Sequence, residues 1–517
     1  MAPSRNKLSS DVAEIVQPAL RVARGASYLI IQGIIVNGVG VIFFVFATRL
    51  LPTVADFGRV TTLNIFALLM VTVGTLGLPT AGTRFIARYV ALREQGAANG
   101  VYKTILVLGT ILSALVLVAT ILASTIISLI LLGSPDYAIL VQLVAVDIFF
   151  QLLTLFPLGA LQGRFGFREN ALVNITSNIV QVSAVLSFLI IGIGVIGILY
   201  GWIIGDGLGA VLAIMIASRN FSISTPAEKR TSLMLFAAPL YGANLIGYAS
   251  SYVDRFLVLF LLGAVELGLY SPAVVAAGNL GIVSAAIAGA LLPQLTELHA
   301  RRGNTGFRNA TRAASRYLFM LMFPLAVFLA TSAGPTTTIL AGPRYISAEI
   351  PLAILAFTWG LTSISVIVNT SLLALGRTSA LLVASILGVI SSLSLAPFVE
   401  WFGIDGAALT RVVLMVVSMA SSWLILRGTI RGVVDLCAFY KALACASIGG
   451  ASVLVMEFIW YDWRLYGLYL GVGGITYLLC LRRFKILNLD DIALLYKFIP
   501  VKLRFVANVL RWVVHAS

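Results

Sequence analysis

Fourteen runs of apolar residues, most of them about twenty residues long, follow one another along this chain, and that succession dictates the solvent in which it folds. They fall at 28–48, 60–83, 104–132, 137–163, 170–193, 195–217, 233–262, 268–293, 317–340, 350–374, 380–400, 404–426, 442–461 and 465–481. A hydrocarbon core of about 30 Å needs about 20 apolar residues per helical crossing. The expected fold class is therefore an all-α polytopic membrane protein with about 14 transmembrane helices. With 60% of the residues hydrophobic and only 11% charged, little chain remains for a soluble domain.

The positive charge is placed as unevenly as it is counted. A cytoplasmic N-terminus sets 29 of the 35 lysines and arginines inside, leaving Arg49, Arg59, Arg255, Arg344, Arg411 and Arg464 at or near the outer face. Positive residues concentrate in cytoplasmic loops, so both termini are expected inside, in a cell membrane, with an even number of crossings. The first run is too long for a signal peptide and lacks a small-x-small cleavage site, which makes it a retained anchor. Residues 1–27 are expected as a cytoplasmic interfacial helix, opened by Asp11 and Glu14 in capping-box spacing. Six crossings fill 28–217, a cytoplasmic loop covers 218–232, six more crossings fill 233–427, and a helix pair occupies 428–481. A basic interfacial tail, 482–517, suits anionic headgroups.

An internal repeat divides the crossings. "LLPTVADFGRV" (50–60) resembles "LLGAVELGLY" (261–270), which aligns Gly58 with Gly268, and "GLPTAGTRFIAR" (77–88) resembles "LLPQLTELHAR" (291–301), which aligns Pro79 with Pro293. "LGALQGR" (158–164) resembles "SLLALGR" (371–377), and "GVIGILYG" (194–201) resembles "GIDGAALT" (403–410). The offsets of 210, 214, 213 and 209 are nearly constant. They describe two parallel six-helix lobes plus a C-terminal pair, and duplicated halves imply a transporter cleft between them.

Several chemistries drop out. Three cysteines and two histidines show no metal-ligand or triad spacing. "GIGVIG" (192–197) spells a dinucleotide fingerprint, but it lies in a turn between two apolar helices with no strand before it. No phosphate-binding GxxxxGK[ST] occurs, so no cofactor is expected, and basic residues confined to membrane boundaries do not suggest nucleic acid. Gly197, Gly201, Gly205 and Gly209 recur every fourth residue, a pattern for close helix packing.

The seventh run carries the most informative polar residues. Tyr241, Asn244, Tyr248, Ser251 and Arg255 fall at i, i+3, i+7, i+10 and i+14, one stripe on an otherwise apolar helix, with Asp254 beside Arg255. A charge at membrane depth costs about 3 kcal/mol or more unless paired or wetted. The stripe is thus expected to face a water-filled cavity, the alternative being a helix–helix salt bridge with buried hydrogen bonds. Asn170, Asn174, Asn178 and Gln181 repeat the theme on the fifth run, where interhelical hydrogen bonding serves as well as pore lining. Asp147, Asp206 and Glu457 are further acids at membrane depth. An apolar setting favours the neutral carboxylic acid, which makes Asp254, Asp206 and Asp147 candidates for carrying a coupling proton. Arg84 and Arg88, with Arg24 below the first run, form a candidate basic vestibule or serve as ordinary positive-inside residues. Arg49, Arg59 and Arg411 break that rule at the outer end and point to anion handling there.

"FAAPLYGANLIG" (236–247) followed by "YVDRFLVLFLLGAVELGLYSPA" (252–273), within a six-plus-six pattern and an extra pair, is similar to the polysaccharide-biosynthesis flippases of the multidrug/oligosaccharidyl-lipid/polysaccharide exporter superfamily. "LLPTVADFGRV" resembles the matching first-half signature, and the resemblance covers about 25–480. It implies two lobes that move a polyprenyl-linked oligosaccharide from the cytoplasmic to the outer leaflet by alternating access. The protein would then be a transporter and not an enzyme, surrounded by membrane lipids, with room for association with other polysaccharide-assembly membrane proteins. The family's acid-plus-base pair of the seventh helix falls on Asp254 and Arg255. Run 28–48 has no arginine, where the peptidoglycan-precursor branch places several.

The physics agrees with that resemblance. Roughly ten hydroxyls carried bare through hydrocarbon would cost several kcal/mol each, whereas a wet cleft with arginines suits both sugar and phosphate. Two rivals are a cation-coupled multidrug antiporter of the same superfamily and a membrane-embedded enzyme acting on lipid-linked sugars. The second usually needs a large outer loop, and the longest outer segments here are only about ten residues.

Overall fold

The long apolar runs fold as helices in the computed structural model, which describes residues 5–222, 230–430, 432–460 and 462–484. Among them no strand occurs, and twelve helices are long and apolar enough to cross a membrane. Thr378–Leu393 is a shorter apolar helix, and Tyr466–Phe484 covers the last expected run. The chain is an all-α, multi-pass membrane protein. Two compact units divide it: Met1–Ala249 with Gly263–Gly268, and Ser250–Leu262 with Leu269–Ser517.

Unit 1 contains α1 (Arg5–Leu50), α2 (Val54–Thr75), α3 (Leu78–Ala91), α4 (Gln95–Leu122), α5 (Ser124–Leu132), α6 (Ala138–Gly163), α7 (Phe167–Ile190) and α8 (Val195–Asn220). It also takes the first parts of α9 (Arg230–Leu261) and α10 (Ala264–Gly278). The side chains of α1 are described from Ser27 onward, so those of Arg24 and of the Asp11–Glu14 capping box lie outside the described side chains, and 223–229 and the tail from 485 lie outside the described residues. The run expected at 60–83 is two helices. Leu76 and Gly77 take positive φ values of 45° and 73°, and Pro79 then opens α3, where its missing N–H is of no consequence. Thr53 starts α2 by accepting a hydrogen bond from the Asp56 amide at 3.1 Å.

Small residues bring these helices together. A Cβ on Gly159 of α6 would lie 2.7 Å from the Pro79 carbonyl, and one on Gly163 would lie 2.8 Å from that of Thr83, so α6 meets α3 backbone to backbone. The glycines of α8 do the same against α7, with Gly201 at Val185, Gly205 at Gln181 and Gly209 at Ser177. Their four-residue spacing is packing. "GIGVIG" is a turn, with Gly192 and Gly194 at φ 87° and 68° between α7 and α8. The first part of α9 lies along α2 and α3: the Tyr248 hydroxyl donates to the Ile65 carbonyl at 2.6 Å, and Phe236 packs edge-on to Phe85. Gly58 and Gly268, the two glycines that the repeat register equates, touch each other.

Unit 2 holds the remainder of α9 and α10 with α11 (Leu280–Thr331), α12 (Ala333–Leu340), α13 (Glu349–Ala374), α14 (Thr378–Leu393), α15 (Ala396–Arg427), α16 (Leu436–Ile459) and α17 (Tyr466–Phe484). Helix α11 turns at Gly303 and α15 at Gly403, both at φ 59°, and each glycine falls between two expected runs. Phe439 packs edge to face against Phe319 and Phe323, which are buried in its core. The C-terminal pair docks on α11 through Gly449 and Gly450, whose positions face Phe328 and Val327. Asp435 caps α16 and meets Arg312 and Arg316 at 3.4 and 3.7 Å.

Candidate functional site

Helices α3, α6 and α7 of unit 1 enclose an open groove of about 340 Å³, within the roughly 300–1,000 Å³ range of small-molecule pockets. Pro79, Leu155 and Leu158 give it apolar surface, and Thr80, Gln162 and Asn174 give it polar surface. Among the described residues no charged side chain lines it. The groove has a firm frame, because the Thr83 hydroxyl donates to the Gly159 carbonyl at 2.7 Å across the glycine contact of α3 and α6. Asn174 donates to the backbone and side-chain oxygens of buried Asn170 at 2.9 and 3.0 Å, which leaves its own oxygen open. Thr80, Arg84 and Arg88 stand at i, i+4 and i+8 of α3 and are all exposed. The Arg84 guanidinium lies 4.1 Å from the centre of the Phe236 ring. That of Arg88 has no partner among the described residues.

Deeper in unit 1 the amide ladder of α7 reaches an acid pair. Asn178, one turn beyond Asn174, contacts Gln181 at 3.5 Å, and its oxygen is buried without a hydrogen-bond partner. Gln181 donates to Asp206 of α8 at 3.3 Å, and Ser177 approaches the other Asp206 oxygen at 3.5 Å. Asp206 is a neighbour of Asp147 from α6, which is wholly buried, accepts from Gln151 at 2.7 Å through one oxygen and has no hydrogen-bond partner on the other. Among the described residues neither acid has a basic partner.

Asp254 in unit 2 is different. It is 2% exposed and accepts from the Tyr270 hydroxyl at 2.9 Å, and its other oxygen lies 3.7 Å from Arg411 of α15. Arg411 also donates to the Ser250 carbonyl at 2.5 Å. The base facing Asp254 is therefore Arg411 and not its sequence neighbour, because consecutive helical residues point about 100° apart. The Arg255 guanidinium lies 4.6 Å from the Tyr252 ring centre, with its Nε buried and lacking a hydrogen bond.

A model of the family described as "Polysaccharide biosynthesis protein" matches residues 46–350, more than half of the chain. The chain belongs to this polysaccharide biosynthesis family. A protein of Shigella flexneri named as an O-antigen transporter is 25% identical over 180 residues, 34% of this chain. That match spans 42% of the Shigella protein, less than half of its length. The fold is shared with the lipid II flippase MurJ in an inward closed conformation, at TM-score 0.71 and 16% identity over 88% of this chain and 98% of that one. It is shared too with an inward-facing multidrug resistance MATE family transporter of the MOP superfamily, at TM-score 0.64 and 15% identity over 77% and 94%.

The remaining sequence candidates of this polysaccharide biosynthesis protein are placed variously. Arg59 is tied into structure, donating at 2.7 Å to both Asp56 and the Tyr137 hydroxyl. Arg49 is exposed in the last turn of α1, where a cation complements the helix dipole. The α9 stripe divides: Tyr248 is buried against α2, Tyr241 is partly buried, and Asn244 and Ser251 are exposed. Sequence reasoning missed Thr80 and Gln162 as groove residues. One signal was present, since the repeat register sets Gln162 of "LGALQGR" against Leu375 of "SLLALGR".

Proposed function

We propose that this polysaccharide biosynthesis protein is a flippase that moves a polyprenyl-(pyro)phosphate-linked oligosaccharide from the cytoplasmic to the outer leaflet by alternating access. The observation that carries the reading is a polar groove within a membrane-spanning bundle, on the same helix face as exposed Arg84 and Arg88. Guanidinium groups match phosphate oxygens, and polar surface at membrane depth offsets the several kcal/mol that each bare sugar hydroxyl would cost in hydrocarbon. In this reading both termini lie in the cytoplasm of a cell-membrane protein, the two repeat halves act as lobes, and no covalent chemistry is performed. The Asp147–Asp206 pair carries the coupling proton. Asn244, Ser251 and Arg255 of α9 are further contacts along the path, while Asp254 and Tyr248 hold structure.

The test is mass spectrometry of lipids from cells depleted of the protein, together with a leaflet-accessibility probe for polyprenyl-linked sugars. A lipid-linked oligosaccharide accumulating in the cytoplasmic leaflet supports the proposal and identifies the cargo. A second reading, a cation-coupled multidrug antiporter, is favoured by one observation, the acid pair without a basic partner. An unchanged lipid profile with retained cationic dyes would select it.

A further inference from the structure

We infer that the α3–α6–α7 groove is a carbohydrate subsite that receives one uncharged sugar unit, separate from the phosphate, which is received by Arg84 and Arg88; this rests on the flippase reading above. The lining is suited to a pyranose, which presents hydroxyls at its edge and C–H groups on its faces. The Gln162 side-chain amide offers both a donor and an acceptor and makes no hydrogen bond among the described residues, as is true of the Thr80 hydroxyl, and both line the groove. Asn174 adds an open acceptor, and Leu155, Leu158 and Pro79 supply apolar surface. A lipid chain in this place would leave those polar groups without partners, each an unfavourable desolvation.

Charge separates the two parts of the ligand. The groove lining has no cation to meet a carboxylate or phosphate, and the amide ladder leading from it ends on two acids. A uronic acid would enter unpaired and at a penalty. The cations stand outside the lining on the Thr80 stripe, Arg84 about 6 Å and Arg88 about 12 Å along the helix axis from Thr80 at 1.5 Å rise per residue. Those spacings match a pyranose joined to its phosphate directly or through a neighbour, so the sugar read by the groove is close to the linker and distal sugars go unread. The groove also needs little ordering to bind, because the Gly159 and Gly163 contacts and the Thr83 hydrogen bond already fix its floor.

The probes are farnesyl diphosphate alone and its conjugates with N-acetylglucosamine, galactose or glucuronic acid, titrated calorimetrically into the full chain in nanodiscs. The wild type should bind at least one neutral conjugate about tenfold more tightly than bare farnesyl diphosphate, the increment of about one charge-free hydrogen-bonded contact, and should gain nothing from glucuronic acid. Gln162→Leu should abolish that gain and leave the bare probe unchanged, while Arg88→Gln weakens all probes alike. Asn174→Leu serves as a second groove variant, and thermal melting verifies that each folds. Equal binding of bare and neutral-sugar probes by the wild type, or an equal loss of both in Gln162→Leu, overturns the subsite. Failure of the wild type to bind any diphosphate probe overturns the flippase reading itself.

Discussion

Asp254 in unit 2 is held by a tyrosine hydroxyl and an arginine, whereas the neighbouring Asp147 and Asp206 in unit 1 are held by two glutamines and a serine. In each arrangement one oxygen of the fully buried carboxylate, of Asp254 or of Asp147, accepts a hydrogen bond and the other has none, but the two differ in what happens to charge. Around Asp254 a guanidinium balances the carboxylate, so the cluster is neutral as it stands and any change in its protonation leaves an unpaired cation. Around Asp147 and Asp206 the partners are neutral, and the number of protons on the pair sets the local charge. The contrast teaches that an acid at membrane depth is not by itself a coupling group: one with a fixed counter-charge fastens helices together, and one without is free to change.

Removing the counter-charge is the harshest way to break that comparison. Arg411→Leu strands a carboxylate that is 2% exposed, and loss of one partner from a buried ion pair costs about 3–5 kcal/mol. Thermal denaturation in detergent should show the largest fall of any single substitution considered, and the double variant Asp254→Leu/Arg411→Leu should recover most of it, since a well-packed apolar pair often replaces a buried ion pair at no loss. A double variant no more stable than the single one would show that Arg411 acts through Ser250 instead. Tyr270→Phe is a milder test. It deletes one hydrogen bond to a charged group, worth about 1.5–3 kcal/mol, and the melting temperature should fall by less than in Arg411→Leu.

The all-helical fold was legible because hydrophobic run length is a local property of the sequence, and even the glycine stripe of α8 announced its packing. The helix break at Leu76–Gly77 was less legible, since "GLPT" lies inside an apolar run and only its backbone angles show the turn. At the site, periodicity placed Asn174 and Asn178 on one face of α7 but could not show which helix that face meets. The pairing of Asp147 with Asp206 joins residues 59 positions apart in the chain, and that of Asp254 with Arg411 joins α9 to α15. Both pairings depend on helix rotation and neighbour choice, which no one-dimensional pattern specifies. Asp254 and Arg255 are adjacent in the sequence, yet the ion pair of Asp254 is with Arg411.

The smallest change in stability should come from the pair in unit 1, and it sharpens the comparison most. Asparagine has the shape of a protonated aspartic acid and keeps its hydrogen-bonding capacity, so Asp206→Asn can still meet Gln181 and Ser177, while Asp147→Asn can still meet Gln151. Neither substitution strands a counter-ion, and the melting temperature should shift by the equivalent of at most about 1 kcal/mol, the scale of one exchanged neutral hydrogen bond. Transport in proteoliposomes should respond differently from stability. Net movement of the sugar-lipid driven by a pH gradient should fall to background in either variant, while exchange of labelled for unlabelled cargo, which needs no net proton movement, should continue. If both variants keep the full pH-gradient dependence, the pair is a structural hydrogen-bond cluster like that of Asp254, and the distinction between the two units disappears. If only exchange survives, the absence of a nearby arginine is what separates a carboxyl that couples from one that merely holds.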